Sequence, residues 1–128
     1  MEVPDGEVTH LPRHLLIVHS NASDNRDDEL NEWYDGEHLP DVLAVPGFVR
    51  ATRYVAQPSV HGELPEHTYL AIYEIEADNL EDALKELSGA AHGMHISDAL
   101  GPGTKTFAYT QISEPQKSAV RWPHRTKR

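Results

Sequence analysis

Apolar and polar positions divide this chain into strand-like and helix-like blocks. His14-Leu15-Leu16-Ile17-Val18-His19 is a short, nearly continuous apolar run, and its length and β-branched content predict a buried strand. Residues 20–25 are turn-rich, and Ser23 or Asp24 is placed to cap a following helix. Asp27 and Asp28 suit the positive end of that helix's dipole. Leu30, Tyr34, His38 and Val42 recur every fourth residue and trace one stripe of a helix expected over about 25–39, interrupted by Pro40. A further short turn over 41–45 leads to Pro46-Gly47, which punctuates the entry to a strand. Residues 48–56 alternate, with Val49, Ala51 and Val55 set against Phe48, Arg50, Thr52 and Tyr54. A connection over 57–66 returns the chain as a third strand over 67–76, rich in Thr68, Tyr69, Ile72, Tyr73 and Ile75. Asp78, with Glu81 three residues on, forms a capping-box pattern ahead of an apolar stripe of Leu80, Ala83, Leu84, Leu87 and Ala91. An irregular loop over 92–103 precedes a last strand over 104–112.

The order β-α-β-β-α-β predicts an α+β, ferredoxin-like fold: a four-stranded antiparallel sheet with two helices on one face. Both alternating sets within the strands hold apolar groups, so both faces of the sheet should be covered. Leu15 or Leu16, Val49 or Phe48, Tyr69, Ala71, Tyr73, Phe107 and Tyr109 are the residues expected on the face without helices. A second copy, packed sheet to sheet, is the simple cover.

Composition narrows the picture further. The 128 residues suit one domain over 1–128, with an ordered core over about 14–112 between a lead-in (1–12) and a tail (113–128). No Cys is present, which excludes disulfides, a thiolate metal site and a Cys nucleophile. The formal net charge of −10 argues against nucleic acid as a partner. No apolar run approaches the length of a membrane span, and the first residues lack a hydrophobic signal core, so a soluble cytoplasmic protein is expected. The tail from Lys117 holds Lys117, Arg121, Arg125, Lys127 and Arg128 and no acid, with Trp122-Pro123 as an apolar anchor. A solvated terminus is the plain reading of it.

The candidate chemistry sits at the end of the first helix. His38 lies on the inward stripe between Glu37 and Asp41, with Trp33 and Tyr34 one turn before it. The plain reading is a core Trp-Tyr pair, a satisfied core histidine and two solvated carboxylates. The functional reading makes His38 the acid–base group, since an imidazole titrates near neutrality. Asp41, three residues on, is placed to orient the ring, and Tyr34 to donate to a developing oxyanion. Trp33, Glu37, Tyr69, Tyr73 and His95 are candidate substrate contacts. No nucleophile signature or phosphate-cradling loop accompanies them, which argues against acyl or phosphoryl transfer. His92 and His95, at i and i+3 around Met94, would bind a metal only with a third ligand, so neither metal nor other cofactor is expected. Arg50 and Arg53 should point to opposite faces of their strand, so at most one serves a pocket.

The run Trp33-Tyr34-Asp35-Gly36-Glu37-His38-Leu39-Pro40-Asp41, followed by Val45-Pro46-Gly47-Phe48, Arg50 and Arg53-Tyr54, resembles the EthD-like members of the dimeric α+β-barrel superfamily. The resemblance spans residues 14–112. It implies a homodimer with a shared barrel and, in each subunit, a pocket between sheet and helices lined by Tyr34 and His38. Related families include polyketide cyclases, cofactor-independent quinone-forming monooxygenases, muconolactone isomerases and haem-binding dehydratases. The expectation is a small cofactor-independent enzyme doing acid–base chemistry on an aromatic, polyketide or catabolic intermediate. Cyclisation, isomerisation, dehydration and oxygenation all fit. The alternative is a non-catalytic protein that binds a small hydrophobic or aromatic ligand in the same pocket.

Overall fold

The structure, a computed structural model, describes residues 11–120. Most of the lead-in, and the tail from Arg121 with its Trp122 anchor, lie outside the described residues. Strand β1 (Arg13–Ser20) is followed by helix α1 (Asp27–Trp33), a π-helical turn (Tyr34–His38) and helix α2 (Leu39–Leu43). Strands β2 (Phe48–Val55) and β3 (Tyr69–Glu76), helix α3 (Leu80–Ala91) and strand β4 (Lys105–Thr110) complete the order. The strands form one antiparallel sheet in the order β2-β3-β1-β4, the ferredoxin-like arrangement. Among the described residues no helix is long and apolar enough to cross a membrane.

One face of the sheet is closed by the helices. Leu16 and Val18 of β1 and Ala71, Tyr73 and Ile75 of β3 are buried there. They join Leu30, Trp33, Tyr34, Val42 and Ala83 in one hydrophobic cluster. The opposite face carries Leu15 and Ile17, Leu70 and Ile72, and Phe107 and Tyr109, paired across β1, β3 and β4. Tyr69, Ala71 and Tyr73 therefore do not line the open face, contrary to the expectation from sequence. Both alternating sets of β3 are apolar, and only the pairing register shows which set the helices cover.

The first helix departs most from expectation. It starts at Asp27 with no side-chain cap, because Asp24 and Asn25 turn left-handed (φ 43° and 64°). It also does not stop at Pro40. The Leu39 amide bonds back five residues to the Tyr34 carbonyl, and helix continues to Leu43. A proline within a helix lacks the amide for the usual bond and crowds the carbonyl four residues earlier. One wide turn accommodates both effects, so the proline shifts the helical register instead of ending the helix. The second long helix is capped by Asn79, whose side chain accepts from the Asp82 amide at 3.0 Å, not by Asp78.

Strand β2 holds a second irregularity. Its pairing with β3 slips between Phe48 and Arg50, leaving Val49 as an extra residue. Phe48 lies opposite Ile75, whereas Ala51 and Arg53 lie opposite Tyr73 and Ala71. Phe48, Ala51 and Arg53 therefore share the helix face, and Arg50, Thr52 and Tyr54 take the open one. The simple alternation read from sequence had placed Phe48 with Arg50.

Candidate functional site

The wide turn and the sheet enclose a cavity of about 210 Å³. Leu16 and Val18 floor it, Tyr34, His38 and Val42 form one wall, and Tyr73 reaches in from β3. Leu87 and Ala91 of α3, Met94, Ile96 and Leu100 of the following loop, and Thr104 and Thr106 leading into β4 close the rest. Two of the larger hollows, of about 300 and 590 Å³, lie at the strand ends around Arg13. Their one histidine, His14, is fully committed. Its ring nitrogens meet Thr110 Oγ1 at 2.9 Å and the Ala77 carbonyl at 3.0 Å. The smaller cavity holds the unsatisfied chemistry.

His38 contrasts with His14. Its ring stacks on Trp33 (centroids 4.5 Å apart, 20° between planes) and meets Tyr34 edge-on at 5.3 Å. Its Nδ1 is enclosed and has no hydrogen-bond partner. Its Nε2 is not enclosed, and among the described residues nothing bonds it. Burial holds the imidazole below its ordinary value of 6.5, while the charges of Asp41 and Glu37 pull the other way. The ring is therefore neutral near pH 7, a form that can accept a proton.

The phenols of Tyr34 and Tyr73 are neighbours behind it. Burial pushes both above their ordinary value; for Tyr34, its contacts with Tyr73 and Ser20 and the charge of Arg53 partly offset this. The two hydroxyls influence one another, yet the Tyr73 oxygen meets no partner at hydrogen-bonding geometry. They are adjacent, not hydrogen-bonded.

Sequence reasoning left open which of Arg50 and Arg53 could serve a pocket, and Arg53 is the one on the helix face. Its guanidinium carbon sits 4.4 Å from the Tyr34 ring centre and 5.3 Å from that of Tyr69. Nη1 donates to Asp35 Oδ1 at 3.1 Å, while Nε and Nη2 are buried without a conventional acceptor. The cation thus rests against π faces and ties β2 to the wide turn. Strand alternation could have flagged Arg53, but the bulge at Val49 scrambles that signal.

The remaining candidates scatter. Trp33 and Tyr73 line the cavity with Tyr34 and His38. Glu37 and His95 stand outside it, exposed and 3.2 Å apart. The same loop is pinned by Trp33 Nε1, which donates to the His95 carbonyl at 3.0 Å. Tyr69 donates to Asp27 Oδ2 at 2.6 Å and does not line the cavity. Asp41 lines a neighbouring surface hollow with Pro46 and Glu86, and makes no hydrogen bond to His38, so it acts on the ring only through its charge. His92 contacts only the Gly89 carbonyl, at 3.4 Å. Among the described residues no three His, Asp or Glu side chains converge on one point.

With the sheet order and this cavity established, comparison with solved structures is informative. The chain superimposes on the crystal structure of an ethyl tert-butyl ether D (EthD) family protein from Bacillus halodurans with a TM-score of 0.56, at 15% identity, covering 80% of this chain and 100% of that one. The fold is EthD-like. No protein-family model matches the sequence. No curated protein matches it at significant similarity. The EthD-like fold places the end of the first helix over the sheet, and in this chain that helix end carries Tyr34 and His38. At this identity the likeness fixes the architecture, not the reaction.

Proposed function

We propose that the protein is a small enzyme that moves a proton on an enolisable or phenolic compound, without a cofactor, using His38 as base. His38 Nε2 would take the proton, and the Tyr34 hydroxyl would donate to the oxygen on which charge develops. The observation that carries this is the contrast between the buried His14 ring and the partly buried His38 ring, whose Nδ1 is enclosed. Leaving a buried polar group unpaired costs free energy, so structural histidines are satisfied, as His14 is. His38 is not. Asp41 and Glu37 would stabilise the imidazolium once it forms, since both charges favour the protonated ring. Isomerisation, cyclisation, dehydration and cofactor-independent oxygenation all begin with such a transfer.

The functional unit in this proposal is a homodimer joined through the open sheet face. Phe107, Tyr109 and Tyr54 are each about half exposed there (47%, 54% and 51%), and Leu15, Ile17, Leu70 and Ile72 lie between them. Such an apolar surface is a liability on a monomer.

A second reading, a non-catalytic small-molecule carrier, is favoured by the cavity's mostly aliphatic lining. Turnover separates the two. His38→Gln should keep the fold and ligand binding and lose about a hundredfold in kcat, the scale of acid–base assistance. Unchanged turnover in that variant would reject the catalytic role.

A further inference from the structure

Charge and the polar side chains of the cavity define its ligand more narrowly than the fold does. We propose that the His38 cavity takes an uncharged ring compound bearing a hydroxyl or enol, a phenol-like molecule, and rejects carboxylates. This rests on the His38 reading above and sharpens it.

A cavity of about 150 Å³ lined by aliphatic groups accepts benzene. At about 210 Å³ this one has room for an aromatic ring and its substituents, and it opens to solvent beside Ile96, which is 50% exposed.

Among the described residues no Lys, Arg, Asp or Glu lines the cavity. Arg53, the nearest guanidinium, lies behind the Tyr34 ring and is held by Asp35. An ionised carboxylate on the ligand would lose its hydration with no cation to replace it. An ammonium would face the same loss with no carboxylate in the lining.

The polar handles specify the functional group. His38 and Tyr34 share one wall, and His38 Nε2, unlike the enclosed Nδ1, is free to accept when the ring carries its proton on Nδ1. Thr104 and Thr106 add hydroxyls on the far side, with the Thr104 hydroxyl donating to the Gly101 carbonyl at 3.3 Å. A ligand hydroxyl can donate to Nε2 while accepting from Tyr34. A ring that only accepts would leave Nε2 unpaired.

Two probes test this, read through the His38 ring resonances by NMR near pH 7.5 and assigned with His38→Gln. Phenol is neutral there and benzoate is ionised, given ordinary values of about 10 and 4. The expected result is saturable movement of the His38 signals by phenol, with benzoate binding at least about tenfold more weakly, or about 1.4 kcal/mol. Benzoate binding as tightly as phenol would overturn the charge selection. His38 would still move in that case, so the pocket and the proposed base would survive. If no probe moves His38 in folded protein, the ligand class fails and the pocket reading fails with it.

Discussion

At the residue scale, the fold treats His14 and His38 differently. His14 spends both ring nitrogens inside the fold, whereas His38 spends neither on a hydrogen bond. This has a consequence for stability that needs no substrate. Burial depresses the folded-state pKa of His38 below 6.5, so as pH falls from 6.5 the unfolded chain binds the proton first. The stability associated with the neutral ring is therefore present above pH 6.5 and lost as pH falls toward the folded value. Urea unfolding at about pH 7.5 and 5.5 should show a smaller loss for His38→Gln than for the natural chain. Equal losses would contradict the burial account. The sequence made His38 visible because its four-residue spacing from Leu30 and Tyr34 survives in the fold. Arg53 could not be chosen over Arg50, because its direction depends on a bulge that only strand pairing shows. Asp41 was overvalued because spacing on an ideal helix ignores the wide turn before it.

At the element scale, the wide turn and the bulge do related work, each adding one residue to a regular element so that a side chain changes direction. Had β2 run without its extra residue, Arg53 would face the open side of the sheet and Tyr34 would lose the cation beneath its ring. The turn also contains Gly36, where an added methyl would meet nothing within 4 Å and the backbone is not left-handed. Glycine there only loosens the unfolded chain, so Gly36→Ala should raise stability by about 0.5–1 kcal/mol in chemical denaturation. Gly101 is the opposite case. A Cβ there would lie 2.8 Å from the Asn21 carbonyl oxygen and 3.1 Å from that of Ala22, both backbone. Gly101→Ala should cost about 1–3 kcal/mol by the same measurement. The strands and the two main helices could be located from periodicity alone. The continuation through Pro40 could not, since proline ordinarily marks a helix end and the wide turn leaves no signature in composition.

At the scale of the whole molecule, the sheet has one satisfied face and one that is not. Sequence foresaw that both faces were apolar but assigned Tyr69, Ala71 and Tyr73 to the wrong one, because a strand with two apolar sets carries no internal record of which side the helices cover. Ile17 lies at the centre of the open face, opposite Ile72 on one side and Phe107 on the other. If the proposed dimer forms there, Ile17→Arg should give a monomer in sedimentation at micromolar concentration while circular dichroism stays native. A monomeric natural chain under the same conditions would remove the case for the dimer.

The stacking of Trp33 on His38 gives the molecule an optical reporter. An indole 4.5 Å from an imidazole should lose fluorescence when that imidazole gains a proton. The second tryptophan, Trp122, can be silenced as Trp122→Phe. In that background, emission should dim as pH falls below 6.5 and should stay level once His38→Gln is added. The same signal would register anything that enters the cavity, so compound collections could be screened for ligands with no label and no prior assay.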